Sequence, residues 1–544
     1  MSPPRPAHPA APALSLAFAL LILLLGAPHA GGRGAFPEIA FVSRNPLGAG
    51  QVPGLGTRQR SRAAGGRLLV REPNGSLREL AKDTFFDCAD PAVSPDGHRL
   101  AFAATVHPDS GFRIWLIALD GGGLGAVTRS DRPAFLDSLG RTRGLTRYDD
   151  LDPCWVSDSV LCFSSTRLPL GNLYDGAAAA NIYCVRADGT DLRRITADRN
   201  GAEEPAIDSK GRLLYARWWF NPWRPGANGV TRSATGTVRP DSVNLWQIVT
   251  LDIGGVSLAA GPPSAGSRGH VMGREPCPLP DGRLAATYAL NLGLSPGPGT
   301  PGVHLFSRLD RDAERIAGPV QPERPGDPYS AARGLAAPAA CGPAALDRER
   351  LILAYDPGGR GDYGLAVVRP GRSPEMLIDL PGTLELDPAP VLARRVTPGT
   401  LPRGIRPEEE AALLCGNGPT FTFESDGVFA GSGLVAAHAV IRFYEERPVA
   451  GGGDSAVLIR EAPLGPGGAV RVTGLPAWTP MFEQIAVPGG PALMGSHGPA
   501  HVAGFNFGPA GAVVRCSGCH PGHSMARPAK RGRGAAPPTA DRIE

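Results

Sequence analysis

The chain has 544 residues, with 73 Gly and 57 Pro, and 42% of its residues are hydrophobic. That density of helix-breaking residues excludes a helical bundle, while the apolar fraction is enough to build cores, so many short strands with frequent turns are expected. Lysine and arginine total 55 against 51 acids, a net charge of +4, too balanced for a nucleic-acid partner.

Residues 1–10 carry Arg5 and no acid, residues 11–25 are almost wholly apolar, and small residues follow at Gly26, Ala27 and Ala30. This order predicts a secretory signal peptide over 1–30, cleaved near Ala27 to Gly31. The apolar run is shorter than the ~20 residues of a membrane span. No cysteine follows it directly, which disfavours a lipoprotein. No later stretch is long enough to span, so the mature chain is expected to be soluble and periplasmic or secreted.

Residues 36–395 carry a repeat. Asp90-Pro91-Ala92-Val93 leads through a turn at Ser94-Pro95-Asp96-Gly97 into an apolar strand at 100–104, and two further strands follow within 114–128. Four strands make one propeller blade. The opening recurs at Asp152-Pro153-Cys154, Glu204-Pro205-Ala206, Glu275-Pro276-Cys277 and Asp387-Pro388-Ala389, with a degenerate copy at Ala339-Ala340-Cys341. A period of roughly 50–70 residues means a radial array. The last copy has only its first strand, and residues 38–42, 67–71 and 77–80 supply the missing three, closing the ring and covering its edges. The fold class is therefore all-β: a six-bladed β-propeller over 36–395. The blade signature resembles the TolB-like periplasmic propellers.

Three features of this repeat bear on function. Cys154, Cys277 and Cys341 are read in the register of Ala92, Ala206 and Ala389, as small buried residues on the innermost strand and as free thiols rather than metal ligands. Asp90, Asp152, Glu204, Glu275 and Asp387 form a ring of acids, either for a cation or substrate or, more commonly, as acceptors for backbone amides in tight loops. The run Trp218-Trp219-Phe220-Asn221-Pro222-Trp223 is either a docking surface or packing beneath an insertion.

From 396 the repeat is gone. A linker or short helix at 406–410 precedes strand candidates at 421–423, 439–443, 456–459 and 469–472, so 396–511 reads as a β-rich module. Residues 512–524 contain Cys516-Ser517-Gly518-Cys519-His520, the spacing that attaches a c-type haem: each thiol forms a thioether to one vinyl group and the histidine reaches the iron. With 9 Cys and 11 His in the chain, about 0.003 such matches are expected by chance. Residues 525–544, basic and rich in Pro and Ala, read as a disordered tail.

The expected cofactor is one covalent haem c, bound through Cys516 and Cys519 with His520 as proximal iron ligand. His501 is the first candidate for the distal ligand and His523 the alternative, with His497, Met494 and Met525 as further donors. Expected work is electron transfer or haem redox chemistry on a small molecule, with the propeller as scaffold or docking platform for a redox partner or a multi-subunit complex. The alternative is a non-redox binding module whose C-terminal thiols hold zinc.

The order of parts, with residues 440–446, 464–472, Leu475-Pro476 and Cys516 to His520, resembles the hydrazine synthase alpha subunit and its relatives. That resemblance implies a TolB-like propeller, a β module and a haem following it. In that family a second haem domain lies beyond, and a tyrosine just after the first motif ligates the active iron. Here Ser524 stands four residues after His520 and no tyrosine follows Tyr444. The resemblance therefore implies a haem-c propeller protein rather than hydrazine synthesis itself.

Overall fold

The computed structural model describes residues 36–46, 64–131, 147–226, 229–232, 244–252, 258–260, 272–289, 301–307, 313–318, 338–396, 402–414, 418–429, 438–448, 454–495, 498–502 and 504–516. Six four-stranded antiparallel sheets are formed by these residues. Their innermost strands are Asp87–Val93, Asp150–Ser157, Ala202–Ile207, Met272–Pro278, Ala339–Ala345 and Leu384–Pro390, here numbered blades 1 to 6. Each touches the next, and the last touches the first, so the sheets surround one axis as a β-propeller. Blade 6 is completed from the other end of the chain, in the order Leu384–Pro390, Ile39–Arg44, Arg67–Arg71, Leu77–Glu79.

The middle strands are buried on both faces because each sheet packs between two others. Arg99–Thr105 and Val160–Ser165 accordingly read as nearly continuous apolar or small runs. Phe102 and Leu100 of blade 1 pack with Val70 of blade 6, while Ala101 and Ala103 pack with Leu161 and Phe163 of blade 2.

Every innermost strand carries a β-bulge, at an acid–proline pair in five of the six blades. Ala89 pairs with Ala103 and Ala92 with Ala101, so Asp90 and Pro91 together oppose one residue. Proline is tolerated there because the bulge needs no N–H from it. The acid before it adopts left-handed backbone, with φ of 53° at Asp90, 52° at Asp152, 59° at Glu204, 51° at Glu275 and 53° at Asp387. In blade 5 the same place is held by Gly342, φ 59°, followed by Pro343. This corrects the register expected for Cys341. That residue pairs with Ala354 just before the bulge, in the position of Ala89, and Ala344 is the partner of Ala92. Glycine enters left-handed backbone without a steric cost, so the repeat continues without its acid and the sequence pattern shifts by three. Cys154 and Cys277 do follow the bulge, opposite Cys162 and Ala285.

The C-terminal module contains two three-stranded sheets. One has the order Val470–Pro476, Thr420–Ser425, Val513–Cys516, and the other Asp454–Pro463, Val440–Pro448, Met481–Ala486. Phe423, Ile441, Phe443 and Ile485 of the module share a core with Cys162, Ile182 and Cys184 of blade 2 and Tyr215 of blade 3. The helix Pro407–Leu414 is tied to blade 2 by Arg194 and Glu410 at 2.7 Å. Before it, the chain leaving the ring is held to blade 1, where Arg394 donates from its backbone N to Pro95 O (2.9 Å) and from Nη1 to Val93 O (2.8 Å).

Candidate functional site

The haem motif begins on an edge strand. Val513–Cys516 runs parallel to Thr420–Ser425, and Cys516 lies opposite Ser425 at the end of that pairing. On the exposed face Glu424 accepts from Arg471 at 2.9 Å and from Arg515 at 3.1 Å, a link across three strands whose register the backbone ladders set. The Cys516 side chain is half-buried against the module core beside Val514 and Val470. A thiol on an edge strand, backed by apolar side chains, fits one thioether of a covalently held porphyrin. Cys519, His520 and His523 lie outside the described residues, as do His497, Met525, the expected signal peptide and the expected tail.

His501 is described. It is 4% exposed and sits between module and propeller. Its backbone bridges to Gln484, its ring lies 5.0 Å from that of Phe482, and its Nε2 is 3.3 Å from Nδ2 of Asn221 in the propeller. The Asn221 amide also donates to Val502 O at 3.2 Å. Met494, by contrast, is 67% exposed.

Around His501 the two parts of the chain share a set of buried polar groups that local sequence does not announce. Arg199 donates to Glu446 at 2.7 Å. Arg217 pairs with Asp198 and donates to Phe505 O across the interface. Glu483 accepts from Asn506 Nδ2 at 3.0 Å, and burial pushes its carboxyl up to about 7, against opposing contributions from that hydrogen bond and from Arg217. Arg217 and Glu483 stand within largely apolar strands and Asp198 and Arg199 in a loop, and their partners lie up to 288 positions away in the chain (Arg217 to Phe505), so spacing carries no signal for them. The only local hint is Glu483-Gln484 inside Met481–Ala486, a strand buried at every position.

The aromatic run 218–223 lies on this interface. Trp218, Phe220 and Trp223 pack with Tyr444, Phe482 and Phe505 of the module. It is an intramolecular docking surface. Gly504 lies so close to the Trp219 ring that a Cβ there would overlap it.

The acids of the bulges act mainly between blades. Asp90 Oδ2 accepts from Asp152 N at 3.2 Å, Glu204 Oε2 from Glu275 N at 2.7 Å, and Glu275 Oε2 from Gly342 N at 2.6 Å. Each carboxylate thus receives the amide of the equivalent residue one blade on, which supports the amide-acceptor reading at these three steps. Arg274 adds a cation: it donates to Glu204 Oε1 at 2.9 Å, pairs with Glu203, and lies 4.1 Å over the Trp246 ring. Among the described residues no group of three or more His, Cys, Asp and Glu side chains could hold a metal ion. His304, also unforeseen, is buried against Tyr288 at 5.5 Å, and burial lowers its pKa to about 4.

No family model matches the chain, and no curated protein matches it. Among solved structures, hydrazine synthase of Kuenenia stuttgartiensis is similar with a TM-score of 0.60 at 14% identity, over 90% of this chain and 69% of that one. TolB from Acinetobacter baumannii is similar over 68% and 69% of the two chains at 14% identity and a TM-score of 0.35. The β-propeller domain of the Trilobed protease from Pyrococcus furiosus is similar over 67% and 100% at 10% identity and a TM-score of 0.34. At such identities the first likeness shows a shared fold, a propeller with a further β part, and nothing finer.

Proposed function

We propose that this chain is an extracytoplasmic monohaem c-type protein whose propeller and module form one scaffold for a haem held by Cys516, Cys519 and His520. The observation that carries the reading is the place of Cys516, on an edge strand packed against the module core, with Ser517-Gly518-Cys519-His520 following directly in sequence. The haem would supply one-electron chemistry. The chain's own residues would hold it by two thioethers and one imidazole, against the apolar rim of the module. The sequence of residues 1–30 supports export, and covalent haem attachment in bacteria takes place outside the cytoplasm. Among the described residues no helix is long and apolar enough to cross a membrane.

The far side of the iron separates carrier from catalyst. His501 is engaged with Asn221 in the interface, which supports a haem whose sixth position this histidine leaves to His523 or to a small molecule. A redox partner protein, or further subunits of a complex, would dock on the surface around the module rim.

The mature chain, expressed with a cytochrome c maturation system, should stain for haem after denaturing electrophoresis. Absence of covalent haem, or one zinc and no iron per chain, would overturn the proposal in favour of a non-redox binding module. H501A should leave the spectrum of the reduced protein, with and without carbon monoxide, unchanged; readily bound carbon monoxide would mark an open site and its exclusion a ligand such as His523. A switch to high spin in H501A would instead establish His501 as the sixth ligand and the protein as an electron carrier.

A further inference from the structure

Blade 2 holds three cysteines on three consecutive strands. Cys154 is on Asp150–Ser157, Cys162 on Val160–Ser165 and Cys184 on Asn181–Arg186, and Cys162 is the direct cross-strand partner of both others. The three are not equivalent. Cys162 and Cys184 are 0% exposed, and their sulfurs are 2.7 Å apart. Van der Waals contact between carbons is already about 3.5–4.0 Å, and sulfur is larger. Two unlinked thiols do not rest this close, so both side chains point at one another and into the space of one bond. The backbone allows that bond. Directly opposed residues of antiparallel strands have Cα atoms about 4.5–5.5 Å apart, within the range a disulfide spans. The Cys154 sulfur is turned instead toward its own strand, 3.9 Å from Trp155 O, with its thiol pushed up to about 12 by burial.

We infer that Cys162 and Cys184 form a structural disulfide joining the second and third strands of blade 2, while Cys154 remains a thiol. The bond forms by exchange with an external disulfide, such as oxidised glutathione or the oxidised form of a thiol–disulfide oxidoreductase. One cysteine thiolate attacks a sulfur of the external disulfide, giving a mixed disulfide and releasing one thiolate. The second cysteine thiolate attacks the protein sulfur of that mixed disulfide, closing the cross-strand bond and releasing the other thiolate. The two protons from Cys162 and Cys184 end on the two released thiols, so the external disulfide is reduced by two electrons. Both sulfurs are sealed in the finished blade, and the exchange therefore precedes closure of the core they share with Phe423 and Ile441 of the module.

The test uses the full chain refolded from the reduced, denatured state in a glutathione redox buffer, so that it does not depend on the compartment or on haem. After denaturation, blocking with N-ethylmaleimide without reductant and proteolysis, mass spectrometry should find the Cys162 and Cys184 peptides linked, two hydrogens lighter than their sum. Cys154 should carry N-ethylmaleimide. Both Cys162 and Cys184 appearing modified would overturn the inference, as would a link from Cys162 to Cys154. A second measurement guards against silent misfolding: dithiothreitol should lower the melting temperature of the unmodified protein by several degrees and leave that of C184A unchanged. An unmodified protein indifferent to reductant would equally sink the assignment.

Discussion

Two buried residues show what single side chains do here. Arg274, 2% exposed, neutralises Glu203 and Glu204 at a bulge and covers Trp246. Removing one partner of a buried ion group leaves charge uncompensated and costs about 3–5 kcal/mol. R274M should therefore lower the urea midpoint strongly, and adding E204Q should restore part of the loss. Glu483 sets a pH dependence. Its carboxyl, 3% exposed, is raised from 4.5 to about 7 by burial. A raised folded-state value means that its contribution is fully present below the unfolded value, near 4.5, and is lost as pH rises to and through about 7. A shift of this size corresponds to on the order of 3 kcal/mol. E483Q keeps an oxygen for Asn506 and removes the titration, so it should flatten that fall and be more stable than the parent at pH 8 in melting experiments. Asp198, raised the same way by burial, will leave some slope of its own. Neither residue was legible beforehand. The acid–proline pairs were, because the chain repeats them. The repeat is hidden where Gly342 replaces the acid, since Cys341 then offers a false match to the small residue that follows each bulge.

At the level of elements, the clearest case is the seat of the C-terminal module. The strand Leu213–Phe220 continues past the ring's own needs into Asn221 and Trp223, and this extension is what the module covers. The sequence displayed the tryptophans but not their partners, because Phe482 and Phe505 lie far along the chain and nothing in local spacing joins them. The module's strands were legible from alternation, as at Thr420–Ser425, whose buried Phe421 and Phe423 alternate with less buried neighbours. G504A tests the seat. A methyl group there meets the Trp219 ring, and overpacking of this kind costs about 1–3 kcal/mol. The variant should show earlier proteolytic cleavage between propeller and module, with the propeller's own resistance unchanged. The inferred cross-strand link is the other element-scale device, and a closed loop of its size contributes roughly 3 kcal/mol in the chain-entropy model.

Across the whole molecule the ring, the linker and the module form a connected set of cores, and Cys516 packs against the one that joins the module to blades 2 and 3. The sequence exposed this order of parts, because each has its own local period or motif. It could not expose the angle at which the module meets blades 2 and 3, which rests on Arg199, Arg217 and Asn221 reaching across hundreds of residues. The seam of blade 6 has a consequence in time. Ser43 donates to Glu385 at 3.2 Å across 342 positions, so the earliest strand of the ring waits for one of the latest. Closing a loop of that length costs on the order of 5 kcal/mol of chain entropy before any contact rewards it, and non-local pairing of this kind makes folding slow. A chain ending at residue 380 should lack the slowest tryptophan-fluorescence phase of refolding and remain open to protease, whereas the full chain should acquire resistance only in that phase. The nascent ring thus stays open until its final strand is made, and the edge of Ile39–Arg44 that pairs with Leu384–Pro390 stays unpaired for as long as synthesis or transport of the remaining chain takes.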